Sequence, residues 1–173
     1  MANRIRFLLT VVMAAALPCA AEDFRTKSVA QATWQLHHDG VVVQAPGRKE
    51  LVLLPEWTWV GESHACAPAL AVGPRGEILV TSNVLASVWK VDPHTLAVTV
   101  HRLELDSDRD KDVGFSTLRY SPDEQAWLAF SAVHGSTWRI DPALTQAKKI
   151  AYNPDRRMTC ATSSHPYTAV PGR

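Results

Sequence analysis

Apolar and polar positions along this chain follow a period of two far more often than a period of 3.6. Short runs rich in Val, Ile, Thr, Trp and Phe occupy residues 77–82, 86–91, 96–105, 117–121, 125–132 and 137–141, with clusters of Gly, Pro, Asn and Asp between them. Such runs are the pattern of short strands joined by turns. Trp89 and Val91 stand two apart, as do Trp138 and Ile140, so each pair shares one strand face. The Asp-Pro that follows each pair suits a tight turn, because proline presets φ at the second turn position. Outside the first residues, no stretch sustains a helical period over three turns. The pattern predicts an all-β protein.

The pattern also repeats. Ser87-Val88-Trp89-Lys90-Val91-Asp92-Pro93 is answered 49 residues later by Ser136-Thr137-Trp138-Arg139-Ile140-Asp141-Pro142. Leu79-Val80-Thr81-Ser82 and Leu128-Ala129-Phe130-Ser131 stand at the same offset. Turns at Gly73-Pro74-Arg75-Gly76 and Ser121-Pro122-Asp123-Glu124 precede these runs, one residue out of step. A more degenerate third copy begins at Ala32-Thr33-Trp34-Gln35-Leu36, its Trp 55 residues before Trp89.

Units of 40–50 residues with about four strands are the signature of propeller blades. The Leu70–Val80 run, its partner Leu118–Asp123 and the Trp-x-x-Asp-Pro strand ends resemble the broad β-propeller superfamily of NHL, YVTN and SMP-30-like repeats, over roughly residues 32–152. The resemblance implies four-stranded antiparallel units packed side by side. About three such units fit the chain, whereas closed propellers typically have four to eight. The expected architecture is therefore a partial propeller-like stack, with a compact β-sandwich of repeated hairpins as the alternative. A partner protein or a second copy of the chain closing the stack, and a truncated remnant of a longer propeller, are further outcomes left open.

The formal net charge of +1, from 18 Lys and Arg against 17 Asp and Glu, argues against a dedicated nucleic-acid or membrane-surface binder, which would carry a basic excess. Residues 1–21 read as a secretory signal: Arg4 and Arg6 precede an apolar run from Phe7 to Leu17, and Pro18-Cys19-Ala20-Ala21 supplies small residues for cleavage. The run is too short for a membrane span. The expected product is exported, to the periplasm or beyond, with a repeat domain over 22–155 and a Pro/Ser-rich tail over 156–173. Cleavage leaves Cys66 and Cys160. In an oxidising compartment these read first as a disulfide, tying the tail to the loop after Trp57-Thr58-Trp59.

Other candidate chemistry is scattered. Asp106, Asp108, Asp110 and Asp112 alternate in a loop that could offer oxygens to Ca²⁺. Lys111 stands where such loops carry glycine, Thr117 where they carry glutamate, and a solvated loop explains the same residues. Otherwise no cofactor is expected. Glu62, His64, Cys66, Cys160 and His165 could ligate Zn²⁺ or copper, in competition with the disulfide. His37 and His38 flank a hairpin turn at Asp39-Gly40; His94, His101 and His134 lie near turns and strand ends. Ser63-His64 beside Glu62 shows adjacency without the geometry a hydrolase needs.

Trp57 and Trp59 do not recur with the repeat and could line a ligand cleft, whereas Trp34, Trp89 and Trp138 read as packing. The leading functional expectation is a non-catalytic exported module that binds a partner protein or small ligand. The resemblance supplies the rival, a metal-dependent lactonase or lyase. That reading would require Glu62, His64, Asn83 and His134 to converge on an axis. Asn83 and His134 follow equivalent strands, so both should emerge at one end of neighbouring units.

Overall fold

A computed structural model describes residues 26–29, 31–60, 66–106, 113–158 and 160. The signal reading over 1–21 and most of the tail lie outside them. The fold is all-β and built of three sheets. In the first, β1 (Thr26–Val29), β2 (Ala32–His37), β3 (Gly40–Ala45) and β4 (Arg48–Leu53) lie in sequence order. The middle sheet orders β5 (Leu70–Val72), β6 (Ile78–Thr81), β7 (Ser87–Val91) and β8 (Val98–Arg102) likewise. The third holds β10 (Thr117–Ser121), β11 (Ala126–Ser131), β12 (Ser136–Ile140) and β13 (Gln146–Tyr152). A two-residue strand, β9 (Glu104–Leu105), joins its outer edge parallel to β13, a fifth strand that the repeat does not foresee. All other pairings are antiparallel.

The middle sheet explains the stack. Leu79, Val88 and Ala71 point into one core with Leu118, Trp127, Ala129, Trp138 and Ile140 of the third sheet. Their sequence neighbours Ile78, Val80, Trp89, Val91 and Leu70 point the other way, against Trp34, Val41, Val43 and Val52 of the first sheet. Side chains alternate between strand faces, so the unbroken Ile78-Leu79-Val80 run is what a strand covered on both sides requires. The inner strands β1, β5 and β10 meet, with β5 touching both neighbours. The result is a fan of three blades, a partial propeller-like arrangement.

Backbone conformation shows the repeat more clearly than the tryptophans do. In every sheet the turn between first and second strands contains a left-handed residue, at Gln31, Gly76 and Gln125. The turn between third and fourth strands contains another, at Gly47, Leu96 and Leu144. These positions correct the alignment of the first unit. Trp34 lies on the second strand of its sheet, whereas Trp89 and Trp138 lie on the third strands of theirs. The first unit is offset by 45 residues from Gln31 to Gly76 and by 49 from Gly47 to Leu96, and not by 55. Turn geometry is what recurs; indole can fill a core from either central strand.

Candidate functional site

The tight repeated turns occupy one end of the fan. The opposite end carries the turns between second and third strands and the long connections between sheets, and nearly all the candidate residues collect there. Trp57 is set in place by its indole Nε1, which donates to the Thr81 carbonyl at 2.9 Å. The Ser82 hydroxyl donates to the Thr58 carbonyl at 2.5 Å. Asn83 completes the attachment: its Nδ2 donates to the carbonyls of Val60 (2.6 Å) and Cys66 (2.7 Å), and its Oδ1 accepts from the Val60 N–H at 3.0 Å. The segment Trp57–Val60 is thereby strapped across the β6–β7 turn.

On this strap the two indoles lie 6.3 Å apart, tilted by 34°. His38, from the β2–β3 turn, stacks on Trp59 at 5.3 Å and 21°. Together with Asp39, Glu56 and Thr58 they line a cleft of about 540 Å³, within the usual size of small-ligand sites. Glu56 has a left-handed backbone, φ 56°, and is the one such non-glycine residue outside the repeated turns among the described residues. Strain of this kind persists only where the surroundings enforce it. Here Leu54 O accepts from Trp57 N–H at 3.2 Å and Arg102 Nη2 grips Glu56 Oε2 at 2.5 Å, so the bend that aims Trp57 is held from both sides. The sequence pattern singles out Trp57 and Trp59 as a pair and His38 only as half of a vicinal histidine pair at a hairpin turn; it carries no signal that His38 stacks on Trp59 or that Glu56 joins them from a strained bend.

The remaining candidates disperse. Cys66 and Cys160 form a disulfide with Cα atoms 5.6 Å apart, which overturns the zinc or copper reading, since disulfide sulfurs are no longer thiolate ligands. Its other proposed ligands, Glu62, His64 and His165, lie outside the described residues, as does Ser63. Asn83 and His134 do emerge at the same end, in the β6–β7 and β11–β12 turns. The Asn83 amide is buried and committed to backbone partners, while the His134 carbonyl accepts from Arg157. Of the acidic loop only Asp106 is described; its Oδ1 accepts from the Lys149 N–H at 3.1 Å, and Asp108, Asp110 and Asp112 fall outside. Among the described residues no group of three or more His, Cys, Asp or Glu converges as a metal site would. His37 sits beside Asp39, its Nδ1 3.7 Å from Oδ2.

His101 is the described histidine with a displaced titration. Burial, then repulsion from Lys90, pushes its imidazole below the ordinary 6.5, with Asp141 pulling partly back. It faces the core between the middle and third sheets, opposite Val88, and does not line the cleft.

Compared with known proteins, the chain matches no family model and none of the curated sequences.

Proposed function

We propose that this protein is an exported, non-catalytic binding module of propeller type that holds a small ligand in the cleft formed by His38, Trp57 and Trp59. The observation that carries the reading is the strap. Three consecutive residues at the end of β6, Thr81 through its backbone carbonyl and Ser82 and Asn83 through their side chains, fix the segment that carries a tryptophan pair with no part in the repeat. Rigid, pre-positioned aromatic faces lose little entropy on binding, which is why such residues dominate recognition sites. Carboxylates of Asp39 and Glu56 beside the rings suit a ligand that presents a flat C–H face and outward hydroxyls, as a sugar does. Export is supported by the Cys66–Cys160 bond, because disulfides persist in oxidising compartments, together with the signal-like residues 1–21. Among the described residues no helix is long and apolar enough to cross a membrane.

The test is indole fluorescence of the full chain titrated with cellobiose, and separately with tetramethylammonium as a cationic alternative. A saturable change with cellobiose that Trp59→Ala abolishes supports the reading. A response to tetramethylammonium alone transfers the site to cationic ligands. Silence with both, or a response that survives Trp59→Ala, removes the cleft as a site.

A further inference from the structure

The two ends of the fan differ in charge. On the face of the third sheet turned away from the middle sheet, Arg119, Leu128, Arg139 and Lys148 stand directly opposite one another on β10, β11, β12 and β13, so their side chains form one row across the sheet. In the adjoining row Thr117, Phe130 and Thr137 are opposed in the same way. Arg156, from the short 3-10 helix after β13, lies over the Phe130 ring at 4.5 Å. All four cations of this face are exposed. Glu124 pairs with Arg139; among the described residues Arg119, Lys148 and Arg156 have no acidic partner. The matching rows on the outer face of the first sheet are Gln35, Val42 and Leu51, and Thr33, Gln44 and Lys49, which together carry a single charge.

A polar end face keeps an unclosed stack soluble, but solubility does not call for one sign of charge. Like charges directly opposite on neighbouring strands destabilise a sheet, and Arg139 faces Lys148 in that way, with Glu124 the one carboxylate paired to either among the described residues. An anion supplied from outside relieves that repulsion. Neighbouring strands lie about 4.8 Å apart, so the row from Arg119 to Lys148 spans about 14 Å, the reach of a chain with repeated negative groups. Two other polyanions fit less well. A lipid surface calls for apolar side chains that insert, and here Leu128 and Phe130 are half-buried, with Phe130 roofed by Arg156. The same roof denies Phe130 the bare ring on which single-stranded bases stack, and a formal net charge of +1 gives duplex nucleic acid little long-range attraction.

We propose that the outer face of the third sheet binds a carboxylated polysaccharide, a linear polyuronate whose carboxylates pair with Arg119, Lys148 and Arg156. A guanidinium donates two parallel hydrogen bonds to a carboxylate, and lysine adds a flexible point charge. The face is separate from the aromatic cleft, and the proposal does not rest on that site.

The test is isothermal titration of the full chain with sodium polygalacturonate at low ionic strength, with dextran as the neutral control. Polygalacturonate binds, dextran does not, and the affinity falls as salt is added. Arg119→Gln combined with Lys148→Gln, both at exposed positions, weakens binding about tenfold. The charge-conserving pair Arg119→Lys and Lys148→Arg retains it, and Lys49→Gln at the other end of the fan leaves it unchanged, as does Trp59→Ala. An affinity indifferent to the double Gln variant overturns the proposal, as does an equal loss in Lys49→Gln, which makes the attraction general. Loss of binding in Trp59→Ala overturns it by moving the sugar chain to the cleft, whereas silence with cellobiose leaves it standing. It also falls if polygalacturonate gives no heat, or if phosphatidylglycerol vesicles or oligothymidylate bind more tightly.

Discussion

Asp92 and Asp141 do the same work at the same place in neighbouring sheets. Asp92 Oδ1 accepts from the N–H groups of His94 and Thr95, both at 2.8 Å. Asp141 Oδ1 accepts from Thr145 and Gln146, both at 2.7 Å, and Oδ2 from the Thr145 hydroxyl at 2.9 Å. The Asp-Pro signature thus depends on its carboxylate, which folds the chain over, as much as on the proline. Donated N–H bonds from Thr95 and His94 hold Asp92 below the ordinary 3.8. For Asp141, desolvation pushes upward, but N–H bonds from Gln146, Thr145 and Ala143 and the Thr145 hydroxyl outweigh it and the net shift is downward. His101 is likewise depressed below 6.5, first by burial. All three groups bind protons less readily folded than unfolded, so stability is present above the unfolded values and drains away as pH falls. Urea midpoints should decline in two stages, one below 6.5 that His101→Gln flattens and one below 3.8 that Asp92→Asn with Asp141→Asn flattens. A midpoint independent of pH across both windows would contradict these assignments.

Among the elements, the left-handed turn residues are the clearest record of repetition. Gly76 occupies its position without strain, whereas Gln125 holds φ 47° at the matching place in the third sheet. The left-handed conformation costs an L-residue about 1 kcal/mol that glycine avoids. Gln125→Gly should therefore raise the unfolding free energy by up to about 1 kcal/mol, and Gly76→Gln should lower it by a similar amount, both measurable by urea titration. If Gln125→Gly destabilises instead, the exposed Gln125 side chain makes a contact that outweighs backbone relief. Strands of the middle and third sheets were readable because both Trp-bearing strands carry β-branched and aromatic residues between strong turns. β13 was not, since Lys148 and Lys149 interrupt its apolar pattern. β3 and β4 were missed for a different reason: their turn at Gly47 lacks the Asp-Pro mark, and no tryptophan flags them.

For the molecule as a whole, the two end sheets solve the problem an unclosed fan poses. Terminal repeats need a polar outer face, and the first sheet turns Thr33, Gln35 and Gln44 outward opposite its buried Trp34 and Val43. The third sheet turns Arg119, Arg139 and Lys148 outward, on the face opposite Trp138. The Cys66–Cys160 bond closes a separation of 94 residues, clamping the segment after β13 to the middle sheet. Chain entropy gives such a loop about 3–5 kcal/mol. The double variant Cys66→Ser, Cys160→Ser should lose stability of that order in urea unfolding, and reduction of the wild type should match it. An unchanged midpoint would show that the fan holds its third sheet by packing alone.

Period-two alternation, Asp-Pro turns and a 49-residue echo determined the fold class and the unit size from the chain alone. They are local or self-referential signals, set by strand pleat and turn chemistry within a few residues. What the chain could not announce is which distant residues share a surface. His38 meets Trp59 only because the folded sheets bring the β2–β3 turn to the connection after β4, and the stacking of the sheets is decided by burial of the middle sheet on both faces.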